Sequence, residues 1–512
     1  MAQILRLLGS LAITSVLCAV SLPVMAGPAA TRLDSEERIS RIEAGLPAVT
    51  RGERTLQLSL REWMQALAVP GLSIAVIDEY RIVLTKAYGV TTPGPLGSPV
   101  TPTTIFQAAS IAKPVTALAV LHQVEHGRFD LDADINDYLQ SWKLPDDDLQ
   151  AGEKVTIRRL LAHTGGVTPG GFAGYERTAA APGIVAVLGG VAPATNAPAR
   201  VVSKPGEEVA YSGLGYSLLQ LALMDRSQKS FEVILEETVL QPLGLRDSTF
   251  QQQLPEALQA RAARGHLGVG AAVEGGWRVH PELAAAGLWT TPADLATLII
   301  DVAKSRRGDP GRLLSSESAR QMLSLHLDGM GLGFVVRDDG AQGYFAHSGG
   351  NQGYFAHLEM LADTGQGIVI MSNSDAGQAL ASLLIASVAN EYDWPLPDRR
   401  QVAGMRAERL FAQYDRVANQ RNKVDVDVAV LARYVGKYEL APDLLFEVTL
   451  AEGQLRVRLG DQPQFPLFAE SPSKFFLEAV DAQITFVVDA SGGSTGLVLH
   501  QGGRDQQANK IE

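Results

Sequence analysis

The sequence predicts a protein of mixed helices and strands followed by a small antiparallel all-β sheet or barrel. Three observations carry this. A hairpin of apolar strands lies near residues 72–87, a long apolar helix starts at Ser110, and from about Asp427 the chain breaks into short alternating strands. Leu56 to Ala68 reads as an amphipathic helix ended by Pro70-Gly71. Leu72–Ile77 and Arg81–Ala87 flank Asp78-Glu79-Tyr80 as the two arms of the hairpin. From Ser110 to about Glu125 the chain is rich in Ala, Leu and Val, long enough for a buried helix. Pro114 falls in its first turns, where proline is tolerated, and Gly127 stops it.

The C-terminal part changes character. After an Ala- and Leu-rich helix at 376–390, Tyr392–Asp398 breaks the pattern, and Val402 to Arg421 reads as a charged linker helix. Strands are expected at Leu444–Leu450 and Gln454–Leu459, joined by Glu452-Gly453, then near Phe465–Phe468, Lys474–Leu477, Gln483–Val488 and Leu497–His500. With 512 residues, two domains are expected. A net charge of −12 argues against nonspecific nucleic-acid binding.

The chemistry starts at Ser110-Ile111-Ala112-Lys113. Residues three apart on a helix share a face, so the Lys113 amine can reach the Ser110 hydroxyl. A serine hydroxyl is a weak nucleophile until a base takes its proton. A lysine inside an apolar helix can be that base, because desolvation lowers its pKa from about 10.4. The plain alternative is a helix-capping serine with a surface lysine.

Val69–Val76, Phe106–Pro114 and Gly127–Asp134 resemble the opening of the class C β-lactamase family, within the serine β-lactamase and penicillin-binding protein superfamily. That superfamily also holds D-amino-acid peptidases, DD-carboxypeptidases and carboxylesterases. The similarity covers roughly residues 40 to 395 and implies an α/β (α+β) β-lactamase/transpeptidase-like catalytic domain, with an antiparallel sheet flanked by helices. Tyr211 then sits where the family's proton-relay tyrosine stands, if nearby cations lower its pKa; the alternative is a tyrosine capping the helix that begins near Leu214. Gly213 replaces the asparagine expected two positions later, which weakens the case for β-lactam turnover. His347-Ser348-Gly349-Gly350 resembles the third motif in its His-Ser-Gly form. The resemblance implies an oxyanion hole from the backbone N–H groups of Ser110 and Gly350, with His347, Ser348 and Gly349 along the substrate. His347 replaces a lysine that usually binds a substrate carboxylate, which fits esters or amides without a free acid; alternatively it packs under the strand. His163 and Trp289 match family stretches and read as structural. The tail, with Tyr434-Val435-Gly436-Lys437-Tyr438 at its start, resembles the lipocalin-like barrels appended to such hydrolases.

The resulting expectation is a serine hydrolase acting through an acyl-enzyme on an amide or ester carbonyl, with a peptide or small-molecule substrate. Peptidase and esterase activity rank level, with β-lactamase third. The rival is a penicillin-recognising binding or sensor protein that acylates with little turnover. No cofactor, metal or nucleic acid is expected. Gly492-Gly493-Ser494-Thr495-Gly496 satisfies Gly-x-Ser-x-Gly but lies between two alternating strands, so it reads as a hairpin turn.

Residues 1–26 read as a signal peptide: Arg6 is the only charge, Leu7–Val24 is apolar, and Val24-Met25-Ala26 offers a cleavage site. Cleavage would remove Arg6 and leave a net charge of −13 (−12 minus +1). An uncleaved anchor, giving membrane contact, is the alternative. Export to a bacterial periplasm is the expected localisation. Cys18 is the only cysteine, so no disulfide would remain. The domain reading is therefore a signal at 1–26, a catalytic domain at 40–395, a linker at 396–426 and a barrel at 427–512.

Overall fold

The computed structural model describes residues 35–512 apart from 147–148, 150–151, 338–341, 396–400, 403–404, 419–422, 443, 461, 463, 478–481, 490–491 and 502–503. The segment read as a signal peptide lies outside the described residues, as does part of the expected linker.

In chain order, helices α1 (Ser35–Ala44) and α2 (Leu60–Ala66) lead into strands β1 (Gly71–Asp78), β2 (Arg81–Gly89) and β3 (Phe106–Ala109). The helices α3 (Ala112–Glu125) and α4 (Gly213–Ser227) follow, then β4 (Leu288–Thr290) and α5 (Pro292–Arg307). Strands β5 (Val335–Val336), β6 (Tyr344–Asn351), β7 (Tyr354–Leu361) and β8 (Gln366–Ser372) precede α6 (Gly377–Glu391) and α7 (Met405–Ala418). The main sheet is six-stranded, in the order β2-β1-β8-β7-β6-β5, with antiparallel pairing throughout.

Helix α2 is shorter than the sequence pattern suggests. It starts at Leu60 because Ser59 and Glu62 close a capping box, and Arg54–Leu56 is drawn off as a strand. The β1–β2 hairpin turns through Glu79 and Tyr80, both at positive φ (48° and 57°), the mirror-image geometry that suits strand twist. Neither residue prefers that region. Tyr80 is held there because its hydroxyl donates to the carbonyls of Ala362 and Asp363 at 2.7 and 3.1 Å.

Strand β1 is apolar almost without interruption because it is covered on both faces. On one face Ala75 and Ile77 join a core built with α3, α4 and α5. On the other, Leu72, Ile74 and Val76 meet Ile42, Trp63, Leu380 and Phe411 from α1, α2, α6 and α7. The helix read as a linker is therefore part of the second core. Its Ala407, Leu410 and Phe411 are buried, and Arg51 and Arg54 lie over the Phe411 ring at 4.6 and 4.8 Å.

The tail forms a nine-stranded antiparallel, nearly closed barrel. Its strands are β9 (Gly436–Ala441), β10 (Leu444–Ala451), β11 (Gln454–Leu459), β12 (Phe465–Pro466), β13 (Phe468–Ala469), β14 (Lys474–Leu477), β15 (Ala482–Val488), β16 (Ser494–Gln501) and β17 (Arg504–Lys510). Their order is β12-β11-β10-β9-β17-β16-β15-β14-β13. Tyr434 stacks on Phe486 at 4.3 Å in its core. Ser494 begins a hairpin strand and its hydroxyl donates to the carbonyl of Gly496 at 3.0 Å, which agrees with a turn rather than a nucleophile elbow.

Because Phe411 fills the second core, Phe411→Ala should destabilise the catalytic part by about 3–5 kcal/mol, the usual cost of emptying an aromatic core site. Urea unfolding followed by tryptophan fluorescence checks this. A change below about 0.5 kcal/mol, within the scatter of surface substitutions, would mean that α7 is only appended.

Candidate active site

The nucleophile stands at a break in regular structure. Strand β3 ends at Ala109, held at φ 48°, and Ser110 follows in a turn before α3. Alanine rarely adopts this conformation, so the turn carries local strain of the kind found at functional sites. Ser110 does not cap the helix with its side chain. Its hydroxyl oxygen instead accepts a hydrogen bond from Lys113 Nζ at 3.1 Å. The reading of a capping serine with a surface lysine is excluded, since Lys113 is only 2% exposed.

Helix α3 is buried on nearly all sides, which is why it lacks an amphipathic stripe. Lys113 is consequently desolvated, and burial brings its pKa down to about 7. The Ala285 carbonyl accepts a second hydrogen bond from Nζ at 2.9 Å. The Ala284 carbonyl takes the Thr116 hydroxyl at 3.2 Å, so the 284–285 backbone pins the face of α3 that carries the amine. No residue type signals this partner, because any residue supplies a carbonyl.

Tyr211 reaches the same place. Lys113 Nζ lies 4.8 Å from its ring centre. Ser212, not Tyr211, caps α4: its Oγ accepts from the Gly215 N–H at 2.9 Å. That leaves the Tyr211 phenol for Ser110, whose hydroxyl interacts with it. The expected lowering of the Tyr211 pKa does not occur. Burial pushes it up to about 12, against a smaller lowering by its hydrogen bond with Ser110. Tyr211 is thus a neutral phenol, 38% exposed toward the cleft. His163 positions it: the imidazole packs against the Tyr211 ring with centres 4.2 Å apart and planes tilted by 33°, and Nδ1 accepts from the Ser212 N–H at 3.1 Å.

Strand β6 closes the opposite side. A Cβ at Gly349 would stand 2.1 Å from the Ala108 carbonyl oxygen and 2.9 Å from the Ser110 nitrogen, so glycine is needed for the strand to lie against the nucleophile. The next residue, Gly350, has open space beside it. Asn351 ties the end of the strand down, donating to Gln107 Oε1 at 2.8 Å and to the Ala286 carbonyl at 3.3 Å.

His347 faces the site, with its ring 6.4 Å from that of Tyr211. It is buried, and desolvation lowers its pKa to about 3, so the imidazole is neutral. Its Nδ1–H donates to the Ser348 carbonyl at 2.7 Å. Ser348 itself is not brought to the site. Strand side chains alternate, so with His347 and Gly349 facing Ser110 the Ser348 hydroxyl points to the other face of the sheet and pairs with His357. Trp289, packed against Trp277 and Tyr354, is core.

The absence of asparagine at 213 has a structural counterpart. A Cβ at Gly213 would come 2.6 Å from Phe172 Cε2 and 3.0 Å from the Gly170 carbonyl. Phe172 occupies the space an amide side chain would need.

The tight fit at Gly349 yields a test. Gly349→Ala should lower any Ser110-dependent activity by about 100-fold, the effect of displacing a site by roughly an ångström. Steady-state rates, with circular dichroism to confirm folding, measure it. An unchanged rate in a folded variant would show that β6 does not set the position of Ser110.

Comparison with known proteins agrees with this geometry. The Beta-lactamase family model matches residues 58–390, and a domain of unknown function (DUF3471) matches residues 420–510. Penicillin-binding protein 4 of Amycolatopsis lactamdurans is 30% identical over 399 residues, covering 72% of this chain and 93% of that protein. Protein flp of Staphylococcus aureus strain MRSA252 is 27% identical over 232 residues, 44% of this chain; the match spans 42% of that relative's length. Among solved structures, the octameric penicillin-binding protein homologue from Pyrococcus abyssi superposes with a TM-score of 0.55 at 21% identity, covering 88% of this chain and 98% of its own. The D-alanine carboxypeptidase AmpC from Burkholderia cenocepacia does so with a TM-score of 0.52 at 16% identity, covering 69% of this chain and all of its own. Their likeness is one of fold. With the family model spanning residues 58–390, more than half of the chain, and a relative at 30% identity over 72% of it, the chain belongs to the β-lactamase and penicillin-binding protein family.

Proposed function

We propose that the protein is a serine hydrolase working through an acyl-enzyme on uncharged acyl esters, with amides lacking a free carboxylate as the second substrate class. The observation that carries the proposal is the desolvated Lys113 amine 3.1 Å from the Ser110 hydroxyl. Near neutral pH a large share of that amine is unprotonated and can take the serine proton as Oγ attacks the carbonyl. The developing oxyanion would be met by the backbone N–H groups of Ser110 and Gly350; one such donor is worth about 3 kcal/mol in a dry site. Tyr211, a phenol throughout the working pH range, passes a proton to the leaving group. Water then releases the acyl group.

Two features favour esters. His347 is neutral where a cation would hold a substrate carboxylate. Phe172 stands where an asparagine would bind a substrate amide. Both disfavour β-lactams and peptides ending in a free D-amino acid. The relatives named for penicillin binding and D-alanine carboxypeptidase activity keep the amide class in view. The apolar leader supports action outside the cytoplasm.

Ser110→Ala should reduce turnover of p-nitrophenyl acetate by at least about 1,000-fold, the scale seen when a hydrolase loses its nucleophile. The wild type should process this ester with a higher kcat/KM than nitrocefin or D-alanine p-nitroanilide. Equal turnover by Ser110→Ala would remove the assignment, and an intact-mass adduct without turnover would point to an acylating sensor.

The pH profile follows from the sign of the Lys113 shift. The base is the deprotonated amine, so kcat/KM should rise about tenfold per pH unit below about 7 and level off above it. A profile flat from pH 5 to 8 would show that Lys113 is not the base.

A further inference from the structure

The outer face of the main sheet, away from Ser110, carries a second serine in a hydrogen-bonded relay. Ser348 on β6 lies directly across from His357 on β7, and its hydroxyl is 2.8 Å from His357 Nδ1. His357 Nε2 lies 3.2 Å from Glu359 Oε2, two residues along on the same face. The Tyr344 hydroxyl donates to that same oxygen at 3.1 Å.

The direction of the relay follows from the donors available. A carboxylate only accepts, so a neutral imidazole must carry its proton on Nε2. Nδ1 is then an acceptor, and the Ser348 hydroxyl must donate to it. This is the arrangement of an activated nucleophile: hydroxyl to base, and base to an orienting acid. Exposure grades in the same order. Ser348 is exposed, the His357 side chain is 14% exposed and that of Glu359 is 4% exposed.

The relay opens into a pocket of about 430 Å³ between the sheet and the helices α6 and α7. Arg337, Arg406 and Arg409 line it, and among the described lining residues Asp375 is the one carboxylate besides Glu359. Guanidinium groups suit an anionic ligand and a developing oxyanion.

We infer that Ser348, His357 and Glu359 form a second esterolytic site, distinct from Ser110, for esters whose acyl part carries a carboxylate. Ser348 Oγ bonds to the ester carbonyl carbon while its proton moves to His357 Nδ1. The carbonyl electron pair rests on oxygen beside the arginines. Its return breaks the C–O bond to the alcohol, which leaves with the proton from His357. Water, deprotonated by the same imidazole, then hydrolyses the acyl–Ser348 ester to a carboxylic acid and restores the serine. Glu359 holds the imidazolium throughout.

The test uses the full chain with Ser110→Ala, so that its outcome does not depend on the first site. An alkyl fluorophosphonate should label this protein once, with fluoride leaving as the Ser348 Oγ–P bond forms, and peptide mapping should place the adduct on Ser348. Labelling should vanish in Ser110→Ala/Ser348→Ala and slow at least tenfold in Ser110→Ala/His357→Gln, with melting curves confirming that each variant is folded. The Ser110→Ala protein should also cleave the singly charged p-nitrophenyl ester of adipic acid at least tenfold faster than p-nitrophenyl hexanoate, a preference lost in Arg406→Ala/Arg409→Ala. An absence of adduct on Ser348 under conditions that label a control serine esterase fully would overturn the second site. A preference for the neutral ester would overturn its assignment to anionic acyl groups.

Discussion

The removal of one amine from water governs this structure. Lys113 can be a base only if its charged form is destabilised, and that requires apolar packing on every side of α3. The same requirement explains why α3 shows no polar face and why its amine is met by the Ala285 carbonyl rather than a carboxylate. An acidic partner would hold the lysine charged. Tyr211 and Tyr216 set their rings around the amine instead, with His163 packed against both, so the amine is out of water with no carboxylate to hold it charged. His347 follows the same logic: near Lys113 and out of water, it too stays neutral.

A second constraint is the alternation of side chains along β6. One strand serves two surfaces. His347 and Gly349 turn to Ser110, where glycine is required by the 2.1 Å approach to the Ala108 carbonyl. Tyr344 and Ser348 turn to the opposite face, toward α6 and α7. The two cores divide the same way, with Ala75 and Ile77 on one side of β1 and Ile74 and Val76 on the other. That one strand borders the Ser110 site with His347 and Gly349 and offers Ser348 to the other side follows from the two-residue period.

Much of this was readable from residue types. Ser110 and Lys113 declare themselves by helical spacing within an apolar run, Gly349 by a glycine-rich strand, and most barrel strands by alternation. Other parts were not. The Ala285 carbonyl has no sequence signature, and Phe172 lies 41 positions from the glycine it crowds. Strand β17 has no sequence signal, because Arg504–Lys510 holds one apolar residue, Ala508, and so shows no alternation. The family resemblance sets Ser348 along the substrate with its neighbours, whereas the strand period places it on the other face. A cation near Tyr211 would acidify it, but burial of the phenol outweighs this and raises its pKa instead.

The most direct measurement is the titration of Lys113 itself, by NMR of protein carrying ¹³C at the lysine Cε, with the signal assigned by its loss in Lys113→Met. A Lys113 resonance that titrates near pH 7, well apart from the surface lysines near 10.4, is the predicted result. A Lys113 that remains charged to pH 10 would contradict the account, since Ser110 would then have no base beside it.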